Sequence, residues 1–95
     1  MLFGVDWDGT WAAAPALFAE LRDLIRLHGH EVLVATNRGP GQPIGAAVDA
    51  HVVYCAGRPK RAACLAAGHR VDVWVDDNPV LVDFGQAGLD RLARG

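Results

Sequence analysis

Long apolar runs are missing from this chain. Hydrophobic residues make up 52% of its 95 positions, but alanine supplies much of that fraction, and no run approaches the roughly 20 residues that a membrane span needs. Cysteine is scarce as well. Cys55 and Cys64 stand nine positions apart with no CxxC spacing, which excludes a disulfide framework and the usual cysteine-rich zinc sites and predicts two buried free thiols. A basic, apolar leader is lacking, because Met1-Leu2-Phe3-Gly4-Val5 runs straight into Asp6; export is not expected, and the location predicted is cytoplasmic. Surplus charge is lacking too. Nine basic and eleven acidic residues leave a net charge of -2, so nothing draws the whole molecule to nucleic acid or to an anionic membrane. An anionic ligand would have to be held locally, by a metal or by a few basic groups.

What is present fits one domain spanning residues 1–95, near the size at which only about 60–65% of the unfolded surface can be buried. Leu2–Asp8 reads as a first strand, apolar through Val5 and therefore buried on both faces. From Pro15 to His28, Leu17, Leu21 and Leu24, and also Phe18, Leu21 and Ile25, recur at helical steps, with Pro15 and Gly29 as start and stop marks. Glu31–Thr36 is a second strand. Gly39-Pro40-Gly41-Gln42-Pro43 must be a loop. A turn of helix over Ile44–Asp49, a third strand over Ala50–Cys55 and a short helix from Pro59 through Ala67 follow. In Val71–Asp76 the alternation of Val71, Val73 and Val75 predicts one shared strand face. Val80–Phe84 is an apolar patch, and Gln86–Arg94 a tail helix. Strands alternating with helices imply an α/β fold with a parallel sheet and right-handed crossovers, its ligands at the carboxyl ends of the strands.

The polar residues of interest fall at those ends. Asp6 and Asp8 close the first strand, and alternation predicts that both project to one side with Trp7 opposite. At about 4 Å and an effective dielectric near 20, two carboxylates repel by on the order of 4 kcal/mol, a cost that calls for a cation or a chemical role. Thr36 closes the second strand, Lys60 opens the helix after the third, and Asp76 with Asp77 close the fourth. Alone, each has an ordinary structural use: aspartates cap helices and make turns, threonines end strands, and first-turn lysines are solvated. Together they converge on one crevice.

The ordered set Asp6-Trp7-Asp8-Gly9-Thr10, Thr36, Lys60 and Asp76-Asp77-Asn78-Pro79 resembles the four motifs of the haloacid dehalogenase (HAD) superfamily over nearly the whole chain. The resemblance implies a three-layer, Rossmann-like core with sheet order 4-1-2-3. A second aspartate at the Asp8 position implies a phosphatase or phosphotransferase, and the fourth motif is most similar to members that lack a cap domain. By that pattern Asp6 is the nucleophile and forms an aspartyl phosphate. Asp8 protonates the leaving oxygen and then activates water. Thr36 holds phosphate oxygens, and Lys60 neutralises the phosphate and orients Asp6. Magnesium is bound by Asp6, the Asp8 carbonyl and Asp76 or Asp77. Charge counting agrees, since a carboxylate attacks a phosphomonoester only if a divalent cation and a basic group offset their repulsion, and magnesium suits oxygen ligands. Asn37 and Arg38, in the loop after Thr36, are expected to contact substrate.

No hairpin or cap follows the first motif beyond Trp11-Ala12-Ala13-Ala14. Within the superfamily an open site of this kind implies a large phosphorylated substrate, such as a phosphoprotein or a nucleic-acid end, or a homo-oligomer in which a neighbour serves as lid; small phosphomonoesters stay among the candidates. Two non-catalytic classes share parts of the pattern. Receiver-like domains use an acidic cluster, a threonine and a lysine, but in a different order along the chain. A degenerate domain would bind magnesium or phosphate without turnover. His28 and His30 flank a helix-ending glycine with no further ligand nearby, which makes them surface or packing residues, as are His51 and His69. Trp11 is suited either to stack on a substrate ring or to fill the core.

Overall fold

A computed structural model describes residues 1–94. Its centre is a parallel sheet of four strands, β1 (Leu2–Val5), β2 (Glu31–Thr36), β3 (His51–Tyr54) and β4 (Val73–Val75). The order is β3-β2-β1-β4, which read from the opposite edge is β4-β1-β2-β3. Helices α1 (Pro15–Leu27), α2 (Lys60–Ala66), α3 (Val80–Asp83) and α4 (Gln86–Ala93) complete the chain. None is long and apolar enough to cross a membrane.

The sheet is buried on both faces because its strands are apolar at nearly every position. Val32 and Val34 of β2 join Val5, Trp11 and Ile25 in one core beneath α1. The intervening Leu33 and Ala35 join Val53, Cys55, Ala63, Cys64 and Val71 in a second core beneath α2. Helix, sheet and helix therefore form three layers, which is the arrangement that two-sided apolar strands require. Both cysteines are buried free thiols within the second core.

Of the two apolar stripes in α1, the fold uses the one through Phe18, Leu21 and Ile25. Leu17 and Leu24 face solvent at 59% and 52% exposure. The helix opens on Pro15, whose missing N–H would be unpaired there anyway, and ends before Gly29 at φ 80°.

Two expectations about the strands need correction. Val71 and Val75 do not share a face, since Val71 packs in the α2 core and Val75 in the α1 core. The reason is a bend at Asp72, whose amide donates to the Leu2 carbonyl at 2.8 Å while its carboxylate accepts the Leu2 amide at 2.7 Å. That exchange holds the two chains together but shifts the alternation before β4 begins. The first strand likewise stops short of Asp8. After Asp6 the chain folds into a wide turn over Trp7–Trp11, closed by the Trp11 and Ala12 amides on the carbonyls of Asp6 and Trp7 at 3.1 and 3.0 Å.

Gly4, on the central strand, has no room for a side chain. A Cβ there would lie 2.9 Å from Val71 Cγ1 and 3.0 Å from the Trp74 ring, both held in the core and unable to move away cheaply. Gly4→Ala should therefore destabilise the protein by about 1–3 kcal/mol through overpacking. Urea denaturation checks this, and an unchanged midpoint would show that β1 and β4 tolerate the extra methyl.

Candidate functional site

Parallel pairing of β1 with β4 aligns Val5 with Val75, so the next residues outward, Asp6 and Asp76, emerge side by side at the carboxyl edge of the sheet. Lys60, the first residue of α2, reaches between them. Its Nζ lies 2.7 Å from Asp6 Oδ1 and 2.6 Å from Asp76 Oδ2, with side-chain exposures of 1% for Lys60, 8% for Asp6 and 1% for Asp76. Asp76 also accepts the Asn78 amide through Oδ1 at 2.9 Å, so both of its oxygens are engaged. Asp77, next in the chain, is exposed.

Thr10 ties Asp77 to this group. Its Oγ1 lies 3.1 Å from Asp6 Oδ2 and 3.3 Å from Asp77 Oδ1, positioned to donate its one proton to either, and it accepts the Asp77 amide at 3.3 Å. The arrangement rests on Gly9, whose φ is 80°; a Cβ at Gly9 would come within 2.9 Å of Asp77 Cγ. Sequence reasoning gave Thr10 no role. Its signal was the hydroxyl standing four positions after Asp6, just past the glycine turn.

Burial pushes the Asp6 carboxyl up to about 6, working against the ammonium of Lys60, with the neighbouring Asp77 and Asp76 carboxylates adding to the rise. Burial by itself would pull Lys60 down, but its hydrogen bonds and attraction to Asp6 and Asp76 prevail and hold it above the usual lysine value. Lys60 therefore stays charged throughout the neutral range.

Asp8 is not part of this cluster. The turn carries it outward, against the expectation that Asp6 and Asp8 project together, and Arg38 takes it in a two-pronged grip with Nε and Nη2 at 2.9 and 2.7 Å from the two carboxylate oxygens. Arg38 holds the Asp8 carboxyl below the ordinary carboxylate range. Thr36 is fully buried, and its hydroxyl accepts the Arg38 amide at 3.2 Å, fixing the start of the loop that delivers the guanidinium. Asn37 is half-buried and receives the Gly57 amide on its carbonyl at 3.1 Å. Asp6, Lys60, Asp76 and Asp77 are thus gathered at one point, while Asp8 and Arg38 form its rim, with the buried Thr36 and half-buried Asn37 behind them at the end of β2.

Asp6, Asp76 and Asp77 each present an oxygen within 4.8 Å of the others. Oxygens this close can turn toward one small cation such as magnesium, which takes carboxylate ligands. Donor chemistry fits as well: three carboxylates against one ammonium leave two negative charges, which a divalent cation would offset. Among the three, Asp77 has the fewest competing bonds and is the ligand most open to an ion. Neither a known protein family, nor a curated protein, nor a solved structure matches this chain.

Two outcomes follow from this geometry. With divalent ions removed by chelation, the Asp6 carboxyl should titrate near pH 6. Because this value is raised on folding, its contribution to stability is present below the unfolded value near 4 and is lost as pH climbs through about 6. Magnesium should move the midpoint down, as read from the carboxyl 13C shift, and a midpoint that ignores magnesium would argue against an ion at Asp6. Lys60→Met, which leaves two buried carboxylates uncompensated, should cost about 3–5 kcal/mol in urea denaturation at neutral pH; a loss below about 1 kcal/mol would mean that water reaches the pair.

Proposed function

We propose that the protein is a magnesium-dependent phosphohydrolase of the HAD type, without a cap domain, acting on phosphomonoesters through an aspartyl-phosphate intermediate. The observation that carries this reading is the Asp6–Lys60–Asp76 cluster. Replacing a buried ion pair by apolar residues is often neutral or stabilising, so a lysine buried between two carboxylates, beside a third, is poorly explained by stability. It is well explained by a nucleophile that must be oriented and an anion that must be received.

In this reading Asp6 is the nucleophile. One of its oxygens is held by Lys60, which fixes the carboxylate's direction and brings positive charge to the place where a phosphoryl group would arrive. Asp6, Asp77 and Asp76 would hold magnesium, which would supply charge neutralisation of the phosphate oxygens. Asp6 Oδ attacks phosphorus, the bond to the ester oxygen breaks, and the leaving oxygen takes a proton from Asp8. Asp8 then removes a proton from water, which attacks phosphorus, releases phosphate and restores Asp6. Held by Arg38, Asp8 is ionised and suited to the second half; the first half requires it to leave Arg38 and carry a proton. Thr10 keeps Asp77 and Asp6 in register. The backbone at Thr36 and Asn37 and the side chain of Arg38 border the place of the substrate, whose ester group faces an open rim and can belong to a small molecule or to a macromolecular end.

The grip of Arg38 on Asp8 also favours a second reading, a domain that binds magnesium and phosphate without turnover. Hydrolysis of an aryl phosphate in magnesium separates the two. A phosphatase should lose activity by about two or more powers of ten in both Asp6→Asn and Asp8→Asn, and Asp8→Asn should accumulate covalent phosphate on Asp6. Absence of turnover in the unaltered protein supports the binding domain. Multiple turnovers that survive Asp6→Asn would overturn the mechanism.

A further inference from the structure

We infer that the substrate carries a second oxyanion, a carboxylate or another phosphate group, and that Arg38 binds it by exchanging it for Asp8. The inference deepens the phosphatase reading and rests on it for the word substrate, but the exchange itself is a matter of binding.

The two ion pairs at this site differ in kind. Lys60 is enclosed, with both carboxylate partners almost wholly buried, and nothing can displace it without exposing the core. Arg38 and Asp8 lie at the rim with side-chain exposures of 35% and 57%, joined by two parallel bonds at 2.9 and 2.7 Å. An exposed pair of this kind shifts its own equilibrium by about fivefold at most, so it opens readily. Its guanidinium has the planar fork that takes carboxylate or phosphate oxygens two at a time. Asp8 is itself an oxyanion seated in that fork, and it marks what the fork accepts.

The backbone makes the fork a fixture of the site rather than a wandering surface charge. The Arg38 amide is bound by the buried Thr36 hydroxyl at 3.2 Å, and its carbonyl accepts the Ala56 amide at 3.1 Å. The loop after β2 is thereby tied at both its strand and its neighbour after β3. Asp8, on the partner side, sits one residue before Gly9 and two before Thr10, within the turn that also positions Asp77. A second anion arriving at Arg38 would release Asp8 beside the reacting centre. A substrate whose remainder is uncharged would leave the fork to Asp8, which is then freed only by the pair's own opening. The open rim thus discriminates by charge, a selectivity that a site without a cap can achieve with one residue.

The test uses two phosphonates of equal length that cannot be hydrolysed, 2-carboxyethylphosphonate and propylphosphonate, with propane-1,3-bisphosphonate as a third arm, titrated calorimetrically into the full chain at saturating magnesium. The carboxylate compound should bind the unaltered protein about tenfold or more tightly than propylphosphonate, as expected for a two-pronged, charge-assisted contact. Arg38→Ala should reduce that preference to about twofold or less, and Asp8→Asn, by vacating the fork, should widen it. The bisphosphonate arm reads whether phosphate or carboxylate suits the fork better. Equal binding of the first two compounds, no binding of either, or a preference that survives Arg38→Ala would overturn the proposal. A protein that shows the preference yet hydrolyses no phosphate ester would retain the oxyanion fork and lose the phosphatase reading, so the two failures are told apart.

Discussion

Everything at the carboxyl edge of this sheet depends on one ammonium group placed between two buried carboxylates. Lys60 meets Asp6 at 2.7 Å and Asp76 at 2.6 Å, and the three groups stand at the start of α2 and just past the ends of β1 and β4. Removing such charges from water costs several kcal/mol each, which only close pairing can offset. The strands must therefore arrive in register and α2 must start where it does. Once the triad is formed it still carries a negative surplus, enlarged by Asp77. Burial, with that surplus adding to it, lifts the Asp6 carboxyl to about 6, and the surplus makes the cluster receptive to a divalent ion.

The second ion pair has a different physical character and so a different use. Asp8 and Arg38 are solvent-facing, and exposed pairs contribute little to stability. Their bond sets the direction of two side chains without committing either one. One pair thus fixes geometry while the other permits exchange, and the division follows from burial alone. In the proposed reaction the proton-transferring carboxylate is the one in the exchangeable pair, because that role requires a change of protonation state in each cycle.

Packing explains where the chain departs from its simple periodicities. Two helical stripes compete in α1, and the one containing Phe18 wins because its ring stacks on Trp11 with centroids 5.8 Å apart, anchoring the helix to the turn that follows β1. The alternation in Val71–Val75 is interrupted where Asp72 doubles back on Leu2 at the sheet edge. The Trp7–Trp11 turn diverts Asp8 from the face of Asp6, since the chain leaves the extended conformation at Trp7, the residue between them. Each is a long-range contact or a backbone bend that a local pattern does not contain.

Apolar runs ending in polar residues were enough to place four strands, the α/β class and a crevice at the strand ends, because hydrophobic periodicity is a local property that burial enforces. The same runs identified Asp6, Lys60, Asp76 and Asp77 as residues that meet there. Which carboxylate pairs with which base was decided only by the tertiary structure. Asp6 and Asp8 are two positions apart in the chain, yet one faces Lys60, 54 positions away, and the other Arg38, 30 positions away. Thr10, silent in the sequence, became a link between Asp6 and Asp77 once β1 and β4 lay side by side. Side-chain partners depend on which segments the sheet brings together and on where the backbone leaves the extended conformation, and neither is written in the spacing of residues.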